Sequence, residues 1–223
     1  MKVQALRRGA AVGIMGGTFD PIHHGHLVAA EAVRARLGLE RVVFVPAGRP
    51  PHKADREVSE ERHRYLMTVM ATVTNPLFTV SRMEIDRPGP SYTVDTVRAF
   101  RDALGERSRL CFITGFDAVR EILTWREPEV FLRLCQVVAV TRPGYRVEEV
   151  ETLRARLRVD PDGPDPLEII EVPALAISSS DIRRRVAAGE PIKYLVPESV
   201  ETYIDKVGLY QRAAAGVDEV VGS

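Results

Sequence analysis

Residues 10–38, AAVGIMGGTFDPIHHGHLVAAEAVRARLG, decide the fold. The apolar run AAVGIM is too short for a buried helix and predicts a buried strand. It enters GGTFDPIHH, where two glycines and a proline interrupt regular structure. Leu27, Ala30, Val33 and Leu37 then recur on one helical face, and Gly38 stands where a helix C-cap belongs. Strand, loop and helix in this order open a βαβ unit.

Working outward, the same alternation repeats. RVVFVP predicts a strand and AGRPPHK a loop. A helix follows from about Ser59, with Ser59 as its cap, Glu60 and Glu61 in its first turn, and Leu66, Val69, Met70 and Val73 facing the core. FTVSRMEI predicts a strand, RPGPSY a loop, and Val94, Val97, Phe100 and Leu104 a helix that Gly105 ends. LCFITG leads into FDAVREIL, QVVAVT predicts the next strand, and Val150, Leu153 and Leu157 mark a helix. LEIIEV is the last strand, followed by a serine-capped helix in ISSSDIRRRVAAG and a terminal helix beginning near Pro197. Short β-branched runs alternating with helical stretches predict an α/β fold with a parallel sheet. One domain is expected over residues 1–211, and residues 212–223 read as a disordered tail.

Lysine plus arginine balance aspartate plus glutamate at 31 each, so no overall field draws the chain to nucleic acid or an anionic membrane. An anion site must be local. No run of about 18 apolar residues predicts a membrane span, and no signal peptide opens the chain. Cys111 and Cys135 sit in apolar runs without metal or redox spacing, which predicts buried thiols and a reducing, cytoplasmic setting. The sequence leaves a homo-oligomer open.

Ligands of a parallel sheet settle at its carboxyl edge, against helix N-termini. The first loop lies there. Gly16 and Gly17 let backbone amides approach a phosphate, while His23 and His26, three residues apart with Gly25 between, can point to the same side. A lone histidine here would read as a simple helix cap, but His23, His24, His26 and His52 all fall in two loops at one sheet edge. A zinc site using His52 as a third ligand is the competing reading, and no nearby carboxylate or thiol pattern completes it. Near the other end, Ser178, Ser179 and Ser180 can cap a helix and bind phosphate oxygens, with Arg183 one turn on. Asp20 is expected to form an Asx turn before Pro21.

GGTFDPIHHGH together with ISSSDIRRR resembles the nucleotidyltransferase superfamily marked by His-x-Gly-His and a Ser/Thr-rich segment ending in arginine. VPAGRPPHK, PSYTVDTV, FITGFDAV, TWRE and TRPGY, in order, further resemble bacterial nicotinate-nucleotide adenylyltransferases over residues 12–210. The resemblance implies a Rossmann-like, doubly wound parallel sheet with helices on both faces. It implies transfer of the adenylyl group of ATP to nicotinate mononucleotide, giving nicotinate adenine dinucleotide and pyrophosphate in NAD synthesis, with Mg²⁺ arriving on ATP.

By the same resemblance, Gly16, Gly17, Thr18 and Phe19 belong to the ATP loop, and His23 and His26 to the ATP phosphates, with His26 nearest the α-phosphate. Gly115 and Asp117 would meet the adenylyl ribose, and Ser179, Ser180 and Arg183 the β- and γ-phosphates. His52 and Lys53 would approach the mononucleotide phosphate, while Thr93 and Trp125 would line the pyridine pocket. Two positions depart from the pattern. Ala47 stands where asparagine is common, and Ser180 where threonine is common. Nicotinamide mononucleotide or phosphopantetheine as acceptor, or a non-catalytic nucleotide sensor, are the alternatives; the SYT and TW segments argue against phosphopantetheine, and the histidines with Arg183 argue against a sensor.

Overall fold

The computed structural model describes residues 6–49, 58–141, 147–160, 163, 165–173 and 175–211. Among these, six strands form one sheet: β1 Ala11–Gly17, β2 Arg41–Pro46, β3 Phe78–Val80, β4 Arg109–Gly115, β5 Gln136–Thr141 and β6 Leu167–Glu171. Every pair is parallel, in the order β3-β2-β1-β4-β5-β6. The helices are α1 His24–Leu37, α2 Glu61–Thr72, α3 Thr93–Leu104, α4 Phe116–Val119, α5 Pro128–Leu134, α6 Val147–Leu157, α7 Ser179–Ala187 and α8 Glu198–Val207, with a 3₁₀ turn at Ile122–Thr124. The expected tail at 212–223 lies outside the described residues.

The strands alternate their side chains between two cores. Val12, Ile14, Val43, Val45, Leu110 and Phe112 pack with α3, α4, α5 and α6. Met15, Val42, Phe44, Cys111 and Ile113 pack on the other face with α1, α2, α7 and α8. The sheet is therefore doubly wound, as expected, and both cysteines are buried. β1 pairs with β2 on one side and β4 on the other, so the chain reverses its direction of travel across the sheet between β1 and β4. Loops leaving these two strands diverge and open a crevice at their carboxyl ends.

Most expected helix faces are found. Val94, Val97, Phe100 and Leu104 are all buried, as are Val150, Leu153 and Leu157, and Gly38 adopts the left-handed conformation at φ 59° as the cap of α1. Helix α2 is rotated from expectation. Leu66 is 43% and Val73 73% exposed, whereas Arg64, Met67, Thr68, Ala71 and Thr72 are buried. The inward face is partly polar because Arg64 has backbone carbonyls to bind there, and Thr68 and Thr72 satisfy themselves on the carbonyls of Arg64 and Thr68 at 2.7 and 2.8 Å. Ser59 does not cap this helix either; its amide donates to Asp20 Oδ2 and its carbonyl accepts from Arg64 Nε. Strand β3 stops at Val80, since the Ser81 hydroxyl turns back to accept from the Met83 amide.

Gly48, just beyond β2, lies against the turn after β3 so closely that a Cβ would fall 2.3 Å from the Glu84 carbonyl oxygen. No side chain fits without backbone movement. Gly48→Ala is expected to lower stability by about 1–3 kcal/mol through overpacking, read as a lower urea midpoint at constant slope. A midpoint unchanged from the parent would show that the loop can move freely away from Glu84.

Candidate active site

Two clefts open at the carboxyl edge, one on each side of the β1–β4 junction. The first, about 600 Å³, is lined by Gly16, His23, Gly25, His26, Gly115 and Asp117 among others. The second, about 360 Å³, is lined by Gly17, Thr18, Ala47, Thr93, Trp125 and Arg126 among others. Gly16 and Thr114 line both. Gly17 and Thr18, expected beside ATP with Gly16, thus lie on the second cleft.

The histidines stand at the start of α1. His23 is its N-cap residue, with the imidazole rings of His23 and His26 stacked 3.7 Å apart. A Cβ at position 25 would come within 3.0 Å of the His23 ring, so Gly25 is what gives that ring its place. The His23 amide donates to His26 Nδ1 at 3.2 Å. A neutral His26 must therefore carry its proton on Nε2, leaving that nitrogen as a donor. Phe19, only 2% exposed, meets the His26 ring edge-on at 5.1 Å. It braces the histidine from behind. His23 Nδ1 is buried with no hydrogen-bond partner, a state that calls for one. Burial, then the neighbouring His24, lowers the His23 pKa to about 4; burial, then His23, holds His26 well below the ordinary imidazole value.

Helix α7 brings its N-terminus to the same loop. Ser178 caps it, accepting from the Asp181 amide at 3.2 Å. The Ser179 hydroxyl donates to the Pro21 carbonyl at 2.9 Å, and the Ser180 hydroxyl lies 3.2 Å from that of Ser178. Arg183 Nη1 donates to the Asp20 carbonyl at 2.6 Å. The serine-arginine segment and the histidine loop, 158 residues apart in sequence, are thus joined directly.

On the second cleft, Trp125 is half-buried, edge-on to Phe112 at 6.0 Å and tilted against Phe131 at 5.5 Å. Thr93 is the first residue of α3 and lines this cleft, and no side chain caps that helix. The Arg126 guanidinium covers the Tyr92 ring at 4.6 Å. Glu84 lies at the base, buried, accepting from Thr96 Oγ1 at 2.6 Å, its pKa raised chiefly by burial. His52 and Lys53 lie outside the described residues.

Two residues that hold the site were not singled out as such. Arg64, 1% exposed, donates to the carbonyls of Ser59, Thr18 and Gly48 at 2.8, 2.9 and 3.1 Å. Asp20 makes no Asx turn; its carboxylate accepts from Tyr210 Oη at 2.7 Å and the Ser59 amide at 3.3 Å. Apart from the Arg64 bond to Ser59, both act between separate segments of the chain, where no local signal exists. Among the described residues no group of three or more His, Cys, Asp or Glu is arranged to hold a metal, and no helix is long and apolar enough to cross a membrane.

A family model for cytidylyltransferase-like proteins matches residues 14–185. A protein of Moorella thermoacetica is 56% identical over 214 residues, covering 96% of this chain and 98% of its own length. One from a Thermoanaerobacter species is 54% identical over 207 residues, covering 93% and 97%. Both carry the name "Probable nicotinate-nucleotide adenylyltransferase". In fold, the chain is similar to the Plasmodium falciparum nicotinic acid mononucleotide adenylyltransferase complexed with NaAD, at TM-score 0.72 and 20% identity over 90% of this chain and 97% of that one. The chain belongs to the cytidylyltransferase-like family and, within it, to the nicotinate-nucleotide adenylyltransferases.

The two depressed histidines bear on stability. Below about pH 6.5 the unfolded chain binds protons at His23 and His26 that the folded protein does not, so stability falls as pH drops from 6.5 towards 4. The cost reaches about 1 kcal/mol for His23 at pH 5.5. Thermal unfolding of the parent and a His23→Gln/His26→Gln double variant at pH 7.5 and 5.5 checks this. The parent is expected to lose more on acidification; equal losses would mean the rings are not held neutral by burial.

Proposed function

We propose that the first cleft binds ATP and the second nicotinate mononucleotide, so that the two phosphates meet beside Gly16 and His26. The protein is an adenylyltransferase of NAD biosynthesis, giving nicotinate adenine dinucleotide and pyrophosphate. The observation that carries the assignment is the pair of clefts sharing Gly16 and Thr114, with the histidine donors lining the first. Buried thiols support a cytoplasmic setting.

The 5′-phosphate of the mononucleotide is already an anionic nucleophile, so the chain has no proton to remove. One of its oxygens bonds to the α-phosphorus as the bond from that phosphorus to the β-phosphate bridge oxygen breaks. The electron pair leaves with pyrophosphate. Catalysis is then positioning and charge compensation. His26 Nε2 faces the transferred phosphorus, and His23 Nδ1, protonated as the triphosphate arrives, faces its neighbour. The start of α7 with Ser179, Ser180 and Arg183 takes the departing pyrophosphate. Gly115 and Asp117 border the adenylyl ribose. Adenylyl transfer from ATP generally needs a divalent metal; we assign Mg²⁺, which would arrive with ATP and would offset charge on the leaving group.

His26→Ala is expected to lower kcat by on the order of 10² to 10³-fold, the cost of one preorganised donor, with less effect on ATP binding. Turnover within a few-fold of the parent, in a pyrophosphate-release assay, would remove His26 from the transferred phosphate.

On the second cleft, the pyridine ring stacks on Trp125; the mononucleotide phosphate is assigned to His52 and Lys53 by the sequence resemblance alone. The free amides and hydroxyl at Thr93 accept the ring carboxylate and oppose an amide NH₂. Preference for nicotinate over nicotinamide mononucleotide is expected to be on the order of 10²-fold in kcat/KM, from charge-assisted hydrogen bonds. Trp125→Ala should raise the mononucleotide KM roughly ten- to a hundredfold, the scale of one stacking contact, and spare ATP. Equal kcat/KM for the acid and amide, measured side by side, would sink the assigned ring preference.

A further inference from the structure

Arg183 and Asp20 are close enough for a salt bridge, yet they do not form a hydrogen-bonded one. Arg183 Nη1 donates at 2.6 Å to the main-chain oxygen of Asp20, while the nearer carboxylate oxygen lies 3.9 Å away. Each carboxylate oxygen has another donor. Oδ1 accepts from Tyr210 Oη at 2.7 Å and Oδ2 from the Ser59 amide at 3.3 Å. Asp20 is 3% exposed, so water cannot substitute for a lost partner, and a buried carboxylate left short of donors draws in the nearest cation. That cation is Arg183. Tyr210 itself arrives from 190 residues away, at the end of the turn that follows α8. Burial, and next the Asp20 charge, hold its phenol well above the ordinary value, so it remains a neutral donor.

We propose that Tyr210 is a positioning residue for adenylyl transfer: by occupying the Asp20 carboxylate it keeps that group from capturing Arg183, whose remaining donors stay turned towards the triphosphate. A guanidinium forked onto Asp20 would spend on the loop the N–H groups that pyrophosphate needs. The inference rests on the assignment of Arg183 to the leaving group. A plain anchoring role for Tyr210 predicts something different, namely lower thermal stability with no preference for one substrate.

Steady-state kinetics with each substrate varied, together with melting temperatures, test this on Tyr210→Phe, Asp20→Asn, the Asp20→Asn/Tyr210→Phe double variant and Arg183→Ala. Tyr210→Phe is expected to raise the ATP KM on the order of tenfold, the loss of one charge-assisted hydrogen bond, and to leave the mononucleotide KM within about twofold. The double variant has no carboxylate to capture the arginine. Its ATP KM is expected to return to within about twofold of the Asp20→Asn protein, whatever its melting temperature, by the additivity expected once the coupling is removed. If Tyr210→Phe raises the ATP KM as much in the Asp20→Asn background as it does in the parent, the proposal is overturned and Tyr210 is an anchor. If Arg183→Ala raises the ATP KM but Tyr210→Phe does not, the inference fails while the Arg183 assignment stands. If Arg183→Ala leaves the ATP KM unchanged, both fall.

Discussion

The architecture of the site depends on a guanidinium with almost no access to water. Arg64 comes from α2 and reaches three carbonyls: Thr18 after β1, Gly48 after β2, and Ser59 ahead of α2. Burying a cation is costly, and here its hydrogen bonds all go to backbone oxygens. The Asp20 charge lies near enough to raise the Arg64 pKa, but burial outweighs it and the net direction is downward. What the arrangement secures is relative position. One planar fork joins the loop after β1, which borders both clefts, to the loop after β2, which borders the second, and Arg64 itself lines neither cavity.

That economy explains the character of α2. Its inward face has to admit a charged side chain and still pack, so threonines bonded to the previous turn sit above Arg64, while Met67 and Ala71 supply the apolar contact. Leu66 and Val73 are left outside. On the opposite side of the sheet α3 admits no buried charge of its own, and its inward face is the apolar stripe of Val94, Val97, Phe100 and Leu104 with Thr96 beside it, bonded to Glu84.

The difference between those two helices marks how far the sequence could be read. Hydrophobic period reports burial, so it places β1, α1, α3 and α6, and with them the parallel doubly wound sheet. It fails on α2, where hydrogen bonds choose the face. It also passes over α5, whose seven residues are too few for a period, although Pro128 at its first position was an available signal. The histidine loop and the serine-arginine segment were legible through motif chemistry, and the structure sets them against each other at Pro21 and Asp20. Arg64, Asp20 and Tyr210 were not, because, Ser59 beside Arg64 apart, they act on partners that lie in other segments of the chain. Gly48 is intermediate. Its glycine is visible at once, but the Glu84 carbonyl that requires it belongs to another segment.

The sharing of Gly16 and Thr114 by the two clefts has a thermodynamic consequence for the product. On the proposed assignment each substrate fills one cleft and loses its own translational and rotational freedom in doing so. The dinucleotide, with both halves covalently joined, fills both clefts for a single such loss, the chelate advantage of any bivalent ligand. Product held this way dissociates only when both halves let go together. An enzyme built around one seam between two cavities therefore binds what it makes more firmly than either of the things it makes it from, and emptying the seam becomes a step that competes with chemistry in setting the pace.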